Sequence, residues 1–362
     1  MTVHLVAIPQ RGMVAVAGMD PRPGCRHAHH LPSSGSTQRR KTVRLVCPER
    51  RRITGAEGTE GRECGMEQLG AFAQTSEPLE AARLVRRPGL VAEMQARLVH
   101  HGLLDPPADG LLDPVTQWAL GAFCRAVCLP FNNALAPPVA AALLQQAPVL
   151  PLQPDSSLAG RIVAALIRHN HWLCRHPDCV NIVYVEGMDE QGREVPRRRD
   201  AFDDLRLLLR IASGGYPEIV GAWSATTASG RLAVETPAEP EGAPRLAAGQ
   251  HRAWVVGRTA IGTELEQEAL IQVLPVLVTR DANRDFRRDG DPPERGIFLI
   301  DQHGGHDAPR ERVGGIGAGC LVGRSQAGHG SFMARLRDDP RWRVNAAHVF
   351  TTSILQAKEV AG

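Results

Sequence analysis

The feature that most constrains this chain is a change in hydrophobic period partway along it. Between Leu84 and Leu129 apolar residues recur at three- and four-residue spacing, as Leu90, Val91, Met94 and Leu98 and again as Val115, Trp118, Ala119, Leu120 and Phe123. That spacing puts one apolar stripe on each of two amphipathic helices. Pro106, Pro107, Asp109 and Gly110 break the first helix, and Asp113 before Pro114 and Thr116 starts the second with an N-cap and a proline at its first position. Downstream the runs become short and branched: Asn181 to Val185, Leu205 to Ile211, Ile219 to Thr226, Ala253 to Val256, Leu270 to Thr279 and Ile297 to Ile300. Bounded by Gly, Pro and charged residues, they read as strands. One more helix is expected near Leu158 to His169. The expected fold class is α+β multidomain, a small three-helix module followed by a mixed, mostly β domain.

A chain of 362 residues with 43% hydrophobic content can bury two such cores. The expected boundaries are a disordered or leader segment at 1–65, with Met66 as a possible working start, a helical domain at 66–130, a Pro/Ala-rich linker at 131–156 and the β-rich domain at 157–362. Pro130, Pro137, Pro138, Pro148, Pro151 and Pro154 suit a semi-rigid linker. No apolar run reaches the ~18 residues a membrane helix needs, so no membrane insertion is expected. The opening MTVHLVAIPQRGMVAVAGMD lacks the basic start, long apolar run and cleavage site of a standard secretory signal.

The formal net charge is +3, with Arg39, Arg40, Lys41, Arg44, Arg50, Arg51 and Arg52 concentrated near the front. They lack interleaved aromatics or helical spacing, and no nucleic-acid partner is expected. The eight cysteines are too scattered for a disulfide scaffold, although Cys174 and Cys179 stand close enough to pair or to remain thiols. Cys25, His27, His29 and His30 have no second ligand pair, and Cys124 and Cys128 fit a helix core better than a metal site. The acidic loop from Asp281 to Asp291 lacks the glycine and glutamate of a calcium loop. The glycines from Gly314 to Gly319 lack the strand, helix and distal acid of a dinucleotide fingerprint. No metal and no cofactor are therefore expected; oligomeric state is left open.

The chemistry-bearing residues lie near the C-terminal end. Ile297-Phe-Leu-Ile-Asp-Gln-His303-Gly304 reads as a strand delivering a histidine at its end, and Gly317-Ala-Gly-Cys320 follows, with Cys320 seventeen residues after His303. Glycines around a cysteine permit close backbone approach, and consecutive amides there can hold an oxyanion. A free thiol needs a base to act near neutral pH, and His303 is the natural partner. His306 and His329 are nearby histidines, read first as loop residues.

Two resemblances follow from these residues. Met94-Gln95, Leu98, Gly102-Leu103, Asp109-Gly110, Thr116, Ala119 and Phe123 stand in the order of the peptidoglycan-binding repeat family, which implies a wall-binding module using Gln95, Gly102, Asp109, Gly110 and Thr116. Asp113 and Cys124 depart from that pattern. His303-Gly304 and Gly319-Cys320 resemble the signature of the YkuD-type L,D-transpeptidases. That resemblance implies Cys320 as the acylated nucleophile, His303 as its base and the Gly304 carbonyl as the group that orients the imidazole. Gly317, Ala318 and Val322 stand where that family has Ser, His and Arg, and Arg324 lies two residues beyond. Arg324, Gly319 and Thr227, the last in a run resembling that fold's early strand and turn, are the expected substrate-binding residues.

The expected function is thus peptidoglycan modification by a Cys-His acyl-enzyme acting on stem peptides. The alternatives are a hydrolase or lysin with the same pair, and a non-catalytic peptidoglycan-binding protein. Peptidoglycan is the expected partner and the wall or periplasm the expected place of action, after cytoplasmic synthesis and export by an unassigned route.

Overall fold

The computed structural model describes residues 67–260, 262–287 and 293–360, and the expectations for residues 1–65 lie outside them. The described residues form one compact unit. Its first part is α1 (Glu67–Ala73), β1 (Leu79–Glu80), α2 (Ala81–Leu84), α3 (Pro88–His100), α4 (Pro114–Ala126), β2 (Ala134–Leu135) and α5 (Pro137–Leu143). The second part begins with α6 (Leu158–Arg168), β3 (Asn181–Glu186), β4 (Asp204–Ile211), β5 (Pro217–Thr226), α7 (Arg231–Glu235), β6 (Ala243–Leu246) and β7 (Gly249–Thr259). It continues through β8 (Gln267–Gln272), β9 (Val276–Asp281), β10 (Pro293–Gly296), β11 (Gln302–Gly304) and β12 (Leu321–Gly323). The chain closes with α8 (Gln326–Asp338), α9 (Pro340–Val344), β13 (Phe350–Gln356) and α10 (Ala357–Val360).

The helical part forms for the reasons legible in its sequence. The Asp113 carboxylate accepts from the Thr116 amide at 2.7 Å and Pro114 occupies the first turn, where its missing N–H costs nothing. Leu90, Val91, Met94 and Leu98 of α3 meet Val115, Ala119, Leu120 and Phe123 of α4 in one buried core. Much of the stretch expected as linker is built into that core. Leu135 of β2 pairs with Leu79 of β1, and Val139, Ala140 and Leu143 of α5 are buried against the other helices. Pro137 and Pro138 begin α5 instead of holding the chain extended, because proline is tolerated in a helix's first turn.

The β part is a closed eight-stranded barrel in the order β11-β12-β5-β4-β3-β13-β7-β8, sealed by the pairing of Gln302 with Leu270. β11/β12 and β3/β13 run parallel and the other neighbours antiparallel. An eight-stranded barrel leaves an interior that side chains can fill. Tyr184, Leu208, Ala225, Trp254, Leu270 and Ile354 fill it together with Phe332, Met333 and Leu336 of α8. Alternation along β4 sends Leu205, Leu207 and Leu209 outward, where Ile162, Val163 and Leu166 of α6 cover them. β10, β9 and β6 make a separate three-stranded sheet.

Two strand expectations change. The run Leu270 to Thr279 divides into β8 and β9, with Pro275 between them, because proline has no N–H to donate to a ladder. Residues 297–300 are not a strand at all. Leu299 adopts a φ of 58°, and the Gln272 side-chain oxygen accepts from Phe298 N at 3.1 Å and Ile300 N at 2.9 Å in place of a neighbouring strand. The strand that carries His303 begins only at Gln302.

The helical and barrel parts are joined by a buried ion network. Arg341 of α9 donates to Asp105 at 2.9 Å, to Asp339 at 2.8 Å and to the Val180 carbonyl at 2.7 Å, and Thr351 of β13 donates to Asp105 at 3.1 Å. Burial works against the Arg341 charge, but Asp105 and Asp339 hold it well above its ordinary pKa. Removing one member leaves the others charged and unpaired, so Arg341→Ala is expected to cost about 3–5 kcal/mol in urea unfolding. His348 lies beside this network, and burial pushes it down to about 4 against the pull of Asp105. As pH falls below the ordinary histidine value of 6.5, the unfolded chain takes up this proton before the folded one. Stability present above pH 6.5 is therefore expected to decline toward pH 4, and urea midpoints across that range should show a shallower slope in His348→Gln.

Candidate active site

β11 lies between β8 and β12, with Gln302 opposite Leu321 and His303 opposite Val322. Gln302 points into the barrel, where it accepts from Tyr184 Oη at 3.2 Å and donates to Thr352 Oγ1 at 2.8 Å. Strand alternation then turns the half-buried His303 to the outer face. Its Nδ1 lies 3.0 Å from the Gly304 carbonyl. A carbonyl can only accept, so Nδ1 carries the proton and Nε2 keeps its lone pair. Burial lowers the His303 pKa, with the Gly304 bond opposing it, and the ring is neutral at pH 7.

A residue that the sequence did not single out supports this arrangement. Gln267 of β8 donates to the Gly304 carbonyl at 3.1 Å and accepts from the Gly304 amide at 2.9 Å. Its Nε2 also lies 3.0 Å from His306 Nε2. A lone glutamine in the run Leu265-Glu-Gln-Glu gives no sequence signal of this role; only barrel closure brings it to Gly304. His329 is on α8 and buried, not in a loop. Its Nε2 meets the Glu268 carbonyl at 2.7 Å and its Nδ1 meets Arg206 Nη1 at 3.2 Å, so both ring nitrogens are engaged.

Cys320 immediately precedes β12. Because His303 pairs with Val322, Cys320 stands diagonally across the ladder on the same outer face. Cys320 packs at the edge of a small cluster of Phe202, Ala308, Val313 and Val322. Its Sγ donates to the Leu299 carbonyl at 3.5 Å, and among the described residues no hydrogen bond links it to His303. Burial and the nearby Asp301 charge push the thiol up to about 12, while burial raises Asp301 itself to about 6. At rest the thiol is therefore protonated and the imidazole neutral.

Gly319 has a φ of 102°, and a Cβ there would lie 2.7 Å from the Pro244 carbonyl oxygen. Only glycine fits. Among the described residues the amides of Gly319 and Cys320 donate no hydrogen bond. Arg324 donates to the Ala308 carbonyl at 3.5 Å, and its own backbone accepts from Asp307 and donates to Ser224, which ties down the loop after β11. Thr227, expected to bind substrate, is buried instead; its hydroxyl meets Glu186 at 2.7 Å and Asp204 at 2.9 Å.

The residues of the helical motif come together as an internal network. Gln95 donates to Asp109 at 2.9 Å, to the Leu111 carbonyl at 3.0 Å and to Thr116 Oγ1 at 3.1 Å, and accepts from the Gly110 amide at 2.7 Å. Gly110 and Gly102 take φ values of 76° and 73°, and the Gly102 carbonyl accepts from Arg175. The motif thus shapes the turn between α3 and α4. Gln95, Asp109 and Thr116 also wall a cavity of about 180 Å³, whose other side is Arg252, Asn345 and His348 of the barrel part. In the acidic loop, Asp281 accepts from the amides of Asp285 and Phe286, while Asp289 and Asp291 lie outside the described residues.

No family model matches this chain, and no curated protein matches it. Two solved structures bear a loose likeness. One is a fused Zn-dependent amidase/peptidase/peptidoglycan-binding domain-containing protein from Clostridium acetobutylicum ATCC 824, at 12% identity and a TM-score of 0.24, covering 73% of this chain and 94% of that one. The other is an L,D-transpeptidase from Xylanimonas cellulosilytica DSM 15894, at 17% identity and a TM-score of 0.18, covering 73% and 92%. At these TM-scores the likeness carries no argument, and the site is read from its own geometry.

Gly319→Ala is expected to lower stability by about 1–2 kcal/mol, since an L side chain strains that backbone. Gly330→Ala on α8, where an added Cβ meets nothing within 4 Å, is expected to raise it by about 0.5–1 kcal/mol. Thermal unfolding of the two variants checks both signs.

Proposed function

We propose that this chain is a cysteine acyltransferase acting on the stem peptides of bacterial peptidoglycan, similar in mechanism to the L,D-transpeptidases. The observation that carries the reading is the His303 Nδ1 bond to the Gly304 carbonyl, on a strand whose register sets Cys320 on the same face. It leaves Nε2 as the only ring position able to take a proton. The ordered motif of α3 and α4 supports a wall-facing module beside it.

In this mechanism Cys320 leaves the Leu299 carbonyl and His303 Nε2 takes the thiol proton as Sγ attacks a stem-peptide carbonyl. The thiol's raised pKa means that proton transfer accompanies attack; no thiolate is stored beforehand. The amides of Gly319 and Cys320 receive the oxyanion. Collapse breaks the C–N bond, His303 returns the proton to the departing amine and a thioester remains. An amine of a second stem peptide then attacks that thioester, losing its proton to His303, and Cys320 regains its thiol. Water in place of the amine gives hydrolysis.

A non-catalytic wall-binding protein is the second reading, and the seating of Sγ on Leu299 favours it. Mass spectrometry of purified peptidoglycan treated with the protein and with Cys320→Ala separates these. Cross-linked products made only by the unsubstituted protein support transfer, shortened ones support the hydrolase, and wall that binds both proteins unchanged overturns the enzymatic reading. Gln267→Ala, which releases Gly304, is expected to slow acylation of Cys320 about tenfold while leaving wall binding intact.

A further inference from the structure

A cleft of about 500 Å³ opens beside the barrel. It is walled by the turn after β3, the loop 194–200, Arg245 of β6, the loop 285–287 and the start of α10. Its cationic side chains are Arg197, Arg198, Arg199, Arg245, Arg287 and Lys358, against the carboxylates Glu186, Glu194, Asp200 and Asp285. The balance favours an anion. Three of those carboxylates are already committed. Glu186 accepts from Thr227 and pairs with Arg197 and Arg245, Asp200 accepts from the amides of Arg231 and Gly314, and Asp285 accepts from the amide of Arg287. Arg198 pairs with Glu311, so that among the described residues Arg199, Arg287 and Lys358 are the cleft's cations without an ion pair.

A second observation comes from Arg245. Its side chain is only 10% exposed, it reaches Glu186 at 3.2 Å, and its Nε is buried without a hydrogen-bond partner. A buried guanidinium that is only partly satisfied is costly in a folded chain. Nearby, Arg199 lies over the Phe286 ring at 5.3 Å, a stacking that leaves a guanidinium's in-plane N–H groups free for an acceptor.

We infer that this cleft binds an acidic peptide, whose carboxylates are held by Arg245, Arg199 and Arg287. Arginine forks match flat carboxylates in a bidentate way. Val195, Pro196, Phe286 and Ala357 add apolar wall that a peptide covers and a bare anion does not. The cleft also adjoins the cysteine loop, since Arg245 follows Pro244, whose carbonyl accepts from Ser229 at 2.8 Å and abuts Gly319. The inference stands on the cleft's own geometry and does not depend on the chemistry assigned to Cys320.

The test is isothermal titration calorimetry of the full chain with the blocked peptide Ac-Ala-Glu-Ala-Glu-Ala-NH2 and its Gln-for-Glu twin. The acidic peptide is expected to bind, more weakly as salt rises, and the neutral twin at least about tenfold more weakly. Arg245→Gln is expected to abolish binding. Arg199→Gln combined with Arg287→Gln, both at exposed positions, is expected to weaken it about tenfold without touching the buried ion pairs, and decides the matter where Arg245→Gln fails to fold. Equal affinity for the two peptides, no binding of the acidic one, full affinity in the double variant, or displacement by an equal concentration of inorganic phosphate would each overturn the proposal.

Discussion

Closure of the barrel is the constraint on which the rest of this structure depends. A sheet edge left open exposes a row of unpaired amides and carbonyls, and here β11 and β12, three residues each, remove that edge between β8 and β5. Strands so short have little choice of register. Gln302 is anchored inward by Tyr184 and Thr352, so His303 turns outward; Leu321 pairs with Gln302, so Cys320 falls on the His303 face. The side chains that would do chemistry are placed by the same pairings that seal the fold.

Around that closure the polar groups near Gly304 are closely tied, while Arg206 Nε and Nη2 remain buried without a hydrogen-bond partner. Gln267 holds Gly304 by both its N–H and its C=O, which fixes the carbonyl that fixes the imidazole. Gly319 meets Pro244 so closely that the cysteine loop can take one path only. The thiol itself rests against Leu299, a residue forced into a left-handed conformation by the Gln272 side chain that serves the amides on either side of it. A sulfur hydrogen bond of this length is weak, so the Cys320 side chain can rotate away from Leu299 at small cost.

The helical part is fixed to the barrel through a buried junction. Arg341 gathers Asp105 from the loop after α3, Asp339 from the end of α8 and the Val180 carbonyl before β3, so the two parts meet through desolvated charge. Such a network tolerates no sliding, because any displacement leaves a buried ion without its partner. Gln95, Asp109 and Thr116, which carry the resemblance to a wall-binding module, hold the turn between α3 and α4 and line a cavity shared with Arg252 and His348.

The sequence by itself determined the local elements. The three- and four-residue stripe, Asp113 with Pro114, and the branched runs at β3, β4 and β5 are signals that act between near neighbours, and the helices and strands formed where those signals stood. It also put a glycine before Cys320 and a glycine after His303, the two backbone positions this site needs. What only the tertiary structure decided are relations between distant segments: that residues 134–143 join the helical core, that 297–300 bend instead of pairing, that Gln267 meets Gly304, that Thr227 is buried on Glu186, and that arginines from three separate segments line one cleft. Each of these depends on contacts between segments far apart in the chain, and the meeting of Gln267 with Gly304 on the closure of the barrel in particular. Pairing across a closed sheet is a property of the whole ring of strands, and no local spacing encodes it.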